Sequence, residues 1–194
     1  MNRASLYMIR HGKADLDGAE AERPLMPEGI VQAKQMSEQI AAMRPRITAI
    51  YSSPFLRAVQ TVKPLSEMTG VQIQVLEDLR EKTMGHGDIN AARRRMWDDM
   101  AFRLPGGETS AEAQGRAELA IEGIARSHPN EVVAVATHGT LLGLILKLYK
   151  PDFGYEDWRA MTMPDLYHLD VPDDGRVEVD HVGCKAIETF RIQN

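Results

Sequence analysis

Three short stretches of this 194-residue chain carry side chains suited to chemistry on an anion. Arg10-His11-Gly12 follows an apolar run at residues 6–9, and Thr137-His138-Gly139 follows another at 132–136. Ser52-Ser53-Pro54 follows a third at 47–51, with Arg57 one helical turn further on. Arginine forks match phosphate oxygens bidentately and keep their charge at neutral pH. A neutral histidine with one ring nitrogen held as a donor can attack phosphorus with the other. Gly12 and Gly139 would let the backbone approach a ligand. A helix opening near Gly139 would turn free N–H groups and its positive end toward an anion. These residues converge on a phosphoryl group.

Strands must deliver them. The three apolar runs read as strands, as does 71–76. The alternating segments 166–171 and 176–182, split by Pro172-Asp173-Asp174-Gly175, read as a hairpin. Helical spacing connects the runs: Ile30, Ala33, Met36, Ile40 and Met43 after Pro27, then Phe55, Val59, Val62, Leu65 and Met68 before Gly70. Thr109-Ser110-Ala111-Glu112 forms a capping box ahead of Ala113, Ala117, Ile121 and Ile124. Residues 141–149 are apolar nearly all round, as in a buried helix. This order predicts an α/β fold, a three-layer αβα sandwich whose mostly parallel sheet has helices on both faces. In such sheets ligands bind beyond the carboxyl ends of the strands, which brings the three distant stretches to one edge. A single domain over 1–194 is expected, with 82–105 as a small helical cap insertion. Arg93, Arg94 and Arg95 beside Trp97 would form a solvated face of that cap.

Composition narrows the partners. Lys and Arg number 23 against 28 Asp and Glu, a net charge of −5, and the pI is near 5.7. That balance argues against nucleic acid or a membrane surface as partner. Cys184 is the only cysteine, so neither an intrachain disulfide nor a cysteine zinc site is available. His86, His128, His168 and His181 have no metal-ligand spacing, and no metal or cofactor is expected. Arg10 and His11 interrupt the first apolar run too early for a signal peptide, and 141–148 is far short of a membrane span. A soluble, cytoplasmic protein is expected. Trp158 and Phe153, taken as exposed apolar residues, leave room for a homodimer.

Six pieces in this order resemble the histidine phosphatase superfamily, the phosphoglycerate-mutase-like group. They are Arg10-His11-Gly12; Pro24-Leu25 and Gly29 with Gln32-Ala33; Ser52-Ser53-Pro54 with Arg57-Ala58 and Gln60-Thr61; Leu79 with Glu81; Gly106-Gly107-Glu108-Thr109; and Thr137-His138-Gly139. They cover about two thirds of the chain. The resemblance implies that His11 is the nucleophile and is phosphorylated transiently. It implies that Arg10, Arg57 and His138 hold the phosphoryl oxygens and that Glu81 is the proton donor. Ala14 and Asp17 stand where many members carry a hydroxyl residue and an asparagine, so one phosphate donor is missing and an acid lies nearby. Ala14 with Arg23-Pro24-Leu25 is closer to the small bacterial phosphohistidine phosphatases. Glu108 reads as a residue favouring a helix N-terminus. The expected activity is metal-independent hydrolysis of a small phosphorylated substrate. The alternatives are a protein phosphohistidine phosphatase, a phosphoglycerate-type mutase and a non-catalytic phospholigand-binding protein.

Overall fold

The computed structural model describes residues 2–173 and 176–184. Strands and helices alternate as β1 (Arg3–Arg10), α1 (Pro27–Ala41), β2 (Ala49–Ser52), α2 (Leu56–Thr69), β3 (Ile73–Val75), α3 (Ile89–Asp98), α4 (Ser110–Ser127), β4 (Val132–Thr137), α5 (Gly139–Tyr149), α6 (Tyr155–Ala160), β5 (Asp165–Pro172) and β6 (Glu178–His181). Among the described residues they build one six-stranded mixed sheet in the order β3-β2-β4-β1-β5-β6. β3, β2, β4 and β1 run parallel; β5 pairs antiparallel with β1 and β6 antiparallel with β5. The expected hairpin is thus the β5-β6 pair, although Asp174 and Gly175 of its turn lie outside the described residues.

Alternation along the strands divides the core in two. Leu6 and Met8 of β1 and Val133 and Val135 of β4 face one way, onto Ala113, Ala117, Ile121 and Ile124 of α4 and Leu141, Leu142 and Ile145 of α5. Ile9, Val132, Ala134 and Ala136 face the other way, onto Met36 and Ile40 of α1 and Ala58, Val62 and Leu65 of α2. The sheet is therefore covered on both faces, which is why β4, a central strand, is buried at every position. Pro27 starts α1, and Thr109 caps α4 with the predicted capping box complete.

Three expectations need correction. Ile30 and Met68 are 54% and 44% exposed, because α1 and α2 turn smaller residues inward beside the expected ones, Gly29 in α1 and Ala58 and Thr61 in α2. β1 begins at Arg3 rather than Leu6, since an antiparallel partner, β5, pairs with its polar half. Phe153 is buried against Trp97, and Trp158 is half-buried beside the same ring, so neither offers the open apolar surface expected for a dimer. Segment 82–105 carries α3, whose Ala92, Met96 and Trp97 are buried. No helix among the described residues is long and apolar enough to cross a membrane.

Candidate active site

Register sets the site. Arg10 pairs with Thr137 and Ser52 with Ala136, so His11, His138 and Ser53 leave three adjacent parallel strands at nearly one level. His11 N–H donates to the Thr137 carbonyl (3.1 Å) and Ser53 N–H to the Ala136 carbonyl (2.9 Å), carrying the pairing one residue past the strands. Thr61 ties β1 to α2, accepting from Gly12 N–H at 3.0 Å while donating to the Arg57 carbonyl at 2.7 Å.

His11 has a fixed tautomer. A carbonyl only accepts, so Nδ1, 2.7 Å from the Gly12 oxygen, carries the proton. A guanidinium only donates, so Nε2, 3.1 Å from Arg57 Nε, carries the lone pair. Burial lowers the pKa of the ring to about 3; Arg57 and Arg10 act in the same direction, and the Gly12 hydrogen bond opposes them without prevailing. His138 is fully buried, and its pKa lies well below the ordinary value, first through desolvation and then through His11 and the arginines. Its Nε2 is 2.7 Å from Ser53 Oγ, which also accepts from Phe55 N–H. The arrangement that uses the serine hydrogen directs it to Nε2 and leaves Nδ1 as an N–H. Nδ1 is buried with no partner, as is Arg10 Nε.

The arginines are held from behind. Arg10 Nη1 donates to the carbonyls of Met161 (2.8 Å) and Thr162 (3.2 Å). Arg57 Nη1 donates to the Glu20 carbonyl at 2.6 Å and stacks on Phe55. The two glycines also make room within the protein itself. A Cβ on Gly139 would lie 2.9 Å from Arg10 Nε, so Gly139 makes room for that guanidinium. A Cβ on Gly12 would lie 3.0 Å from the Gly29 carbonyl, so Gly12 serves the crossing of two backbones.

The N-terminus of α5 also differs from expectation. Thr140 N–H donates to Glu81 Oε2 (3.0 Å) and Leu141 N–H to Oε1 (2.9 Å), with Lys82 N–H on Oε1 at 2.8 Å. The anion at this helix end is the protein's own carboxylate, which fixes Glu81 beside Arg10 and His11. Glu108 in turn fixes the Glu81 segment. It accepts from Arg80 Nη1 and Nη2 (2.8 and 2.9 Å), Arg116 Nε and Nη2 (2.9 and 3.1 Å) and Thr83 N–H (2.8 Å). Both arginines also reach the Glu81 carbonyl, and Thr137 Oγ1 donates to the Leu79 carbonyl. Burial would raise the Glu108 pKa, but the hydrogen bonds from Arg116, Arg80 and Thr83 outweigh it and bring it to about 2. Reading Glu108 as a helix-end residue missed this junction; its place in the Gly106-Gly107-Glu108-Thr109 motif was the available signal.

Arg10, His11, Arg57 and Glu81 line a cleft of about 600 Å³, with fully buried His138 behind its lining. Arg10, Lys13, Arg23, Arg57 and Arg93 face Asp15 and Glu81 across it, five cations to two acids, in a chain of net charge −5. Ala14 lines the cleft; Asp17 is exposed and outside its lining. Arg93, expected on a solvated face, is half-buried in the cleft wall.

A doubly covered α/β sheet with two neutral histidines, one buried arginine and one half-buried arginine at its carboxyl edge defines a class of phosphoryl-transfer proteins. The chain belongs to the histidine phosphatase superfamily (branch 1), whose sequence profile matches residues 6–181. It is 27% identical to the "Putative phosphoserine phosphatase 2" of Hydrogenobacter thermophilus, over 93% of this chain and 91% of that protein. It is 23% identical to the "Probable phosphoglycerate mutase GpmB" of Photorhabdus laumondii, over 86% and 95%. Among solved structures, mycobacterial glucosyl-3-phosphoglycerate phosphatase in complex with inorganic phosphate superposes with a TM-score of 0.75 at 25% identity, covering 94% of this chain and 98% of that one.

Proposed function

We propose that this protein hydrolyses a small phosphomonoester through a phosphohistidine on His11. The observation that carries the reading is the pairing of a locked lone pair with waiting donors. His11 Nε2 is free of a proton, while Arg10 Nε and His138 Nδ1 are buried without partners. Buried donors left unpaired are costly, and phosphoryl oxygens would satisfy them. The entering group takes the Arg57 N–H from Nε2 onto its own oxygen and so frees the nucleophile. Nε2 then bonds to phosphorus as the bond to the leaving oxygen breaks, and Glu81, having received on Oε2 the proton of the phosphomonoester monoanion, passes it to that oxygen. Water next attacks phosphorus, the N–P bond breaks, Glu81 takes a proton back and inorganic phosphate departs. Glu81 Oε2 accepts one backbone N–H where Oε1 accepts two, so Oε2 has the spare lone pair for that proton.

Preorganised positive donors carry most of such a barrier, and removing one costs roughly 3 kcal/mol, on the order of 10²–10³ in rate. The cleft volume falls in the small-molecule range, and α3 and α6 wall it, which favours a small substrate over a protein. Relatives named as phosphatases support hydrolysis. The test is turnover of p-nitrophenyl phosphate together with acid-labile phosphoenzyme trapped by rapid quench. Turnover insensitive to chelator and a trapped phosphoryl group lost in His11→Ala are expected. Full turnover by His11→Ala would overturn the mechanism.

A further inference from the structure

The loop 161–164, between α6 and β5, is shared by two clefts. Arg10 and Met163 line the cleft that holds His11, while Met161, Asp165, Tyr167 and His181 line a second cleft of about 480 Å³. Arg10 and Asp165 are register partners on β1 and β5, yet Arg10 Nη1 takes carbonyls, those of Met161 (2.8 Å) and Thr162 (3.2 Å). Asp165, only 1% exposed, directs its oxygens to the loop and its surroundings. Oδ2 accepts from Thr162 N–H at 3.1 Å; Oδ1 accepts from Leu166 N–H at 2.9 Å and from His181 Nε2 at 2.8 Å. One peptide unit, Met161 to Thr162, is therefore clamped at both ends. Its N–H meets Asp165 and its C=O meets Arg10. Thr162 Oγ1 closes the loop by donating to the Pro164 carbonyl at 2.8 Å. Hydrogen bonds in a chain polarise one another, so the carboxylate strengthens that C=O as an acceptor as well as orienting it. A buried carboxylate is costly to keep, and this one stands a single peptide away from the arginine that must meet the phosphoryl group.

We infer that Asp165 is a positioning residue for the reaction, fixing Arg10 through the Met161–Thr162 peptide so that Nε faces the phosphoryl oxygen. This role rests on the proposed phosphatase reading, to which it adds a residue outside the lining of the substrate cleft. Asparagine has the same shape but only one accepting oxygen. With that oxygen kept on Leu166 and His181, its NH2 would confront the Thr162 N–H, and the peptide must turn away. A donor displaced by close to 1 Å costs about 10², so Asp165→Asn should lower kcat/KM by roughly ten- to a hundredfold.

The test is a double-variant cycle with Arg10→Met, read as kcat/KM for p-nitrophenyl phosphate, with Tm recorded for each protein. In the Arg10→Met background Asp165→Asn should cost no more than about twofold, which a general loosening of the fold would not give. Asp170→Asn, on the same strand but paired with Arg3, should keep the parent rate. His181 is more than half exposed, so His181→Leu should fold even where Asp165→Asn does not. It takes one donor from Oδ1 and should cost about threefold, again only where Arg10 is present. Binding of inorganic phosphate, measured by calorimetry, needs no turnover. Asp165→Asn should weaken it about tenfold in the parent and leave it unchanged in Arg10→Met. A rate for Asp165→Asn within threefold of the parent overturns the inference, as does a loss that repeats in full beside Arg10→Met or appears in Asp170→Asn. Should Asp165→Asn not fold, His181→Leu decides, and an unchanged rate or an equal loss in both backgrounds overturns it. Absence of turnover by the unmodified protein would refute the phosphatase reading, and phosphate binding would then judge Asp165 by itself.

Discussion

Replacing Gly139 by alanine should separate catalysis from stability. The added Cβ would sit 2.9 Å from Arg10 Nε and 3.0 Å from Cζ and Nη2. Ordinary contacts of this kind lie near 3.5 Å, so the guanidinium must retreat by roughly half an ångström. Gly139 opens α5, where alanine is preferred over glycine by up to about 1 kcal/mol, and the atoms it meets are the end of a side chain. The fold should therefore tolerate the change, with Tm within a few degrees of the parent. Arg10 cannot tolerate it, because its Nη1 is pinned to the Met161 and Thr162 carbonyls while Nε must meet the substrate. Complete loss of such a donor costs on the order of 10²–10³ in rate, and a misplacement approaching 1 Å costs about 10². A fall in kcat/KM of roughly ten- to a hundredfold is expected for Gly139→Ala in a p-nitrophenyl phosphate assay. Arg10→Met should fall further, and the double variant no further than Arg10→Met. Gly29→Ala gives the contrast. Its Cβ would stand 2.1 Å from the Lys13 carbonyl, part of the backbone, so that variant should lose roughly 3 kcal/mol or more of stability. If Gly139→Ala keeps kcat/KM within threefold, or its effect simply adds to that of Arg10→Met, the link from Gly139 through Arg10 to catalysis is wrong.

Two further outcomes follow from the same geometry. His11 has a folded pKa of about 3 against 6.5 unfolded, so the unfolded chain binds the extra proton and stability falls as pH drops from about 6.5 toward 3. At pH 5 this amounts to about 2 kcal/mol, so the urea-unfolding free energy of His11→Ala should drop by about that much less than the parent's between pH 7.5 and 5; equal drops would refute the assignment. Glu108→Gln cannot serve two guanidiniums and an amide as the carboxylate does, and should cost about 2–4 kcal/mol in stability. Because Glu108 positions a proton donor, the rate loss should be larger for an alkyl phosphate, a poor leaving group, than for p-nitrophenyl phosphate; a uniform loss across leaving groups would reduce Glu108 to a structural role.

The candidate site at the sheet edge was legible because it depends on local signals. An apolar run marks each strand, a glycine follows each histidine, and the parallel-sheet rule places the strand ends together without any contact being known. Glu81 was legible only through the family resemblance, since its partners Thr140 and Leu141 lie about sixty residues away. Glu108 was misread for the same reason. Its function exists only when Arg80, Thr83 and Arg116 close around it, and adjacency in sequence shows just a capping box. On α1 the expected Ala33, Met36 and Ile40 are buried, but Ile30 is exposed because Gly29 makes the close contact there, and hydrophobic periodicity gives a glycine little weight. Trp158 and Arg93 meet across 65 positions of chain, and neither spacing nor motif relates them.

Charge placement explains how an acidic chain keeps a cationic cleft ready for an anion. Arg80 and Arg116 share Glu108, and Arg80 also meets Glu77 at 3.5 Å, so two carboxylates balance two guanidiniums and make them structural. Arg10 is anchored instead by two carbonyl dipoles, so it is oriented without being neutralised. Asp165, which faces Arg10 electrostatically, has its oxygens engaged by the Thr162 and Leu166 amides and by His181. Arg57 meets Glu20 chiefly through its carbonyl at 2.6 Å, with the half-exposed carboxylate further off at 3.5 Å. A close, buried carboxylate on either arginine would have to be displaced by every substrate, at a cost of several kcal/mol. Holding these guanidiniums chiefly with neutral acceptors leaves their charge only partly compensated by Asp165, Glu81 and Glu20 until a phosphoryl group arrives, and that preorganisation is what transition-state stabilisation requires.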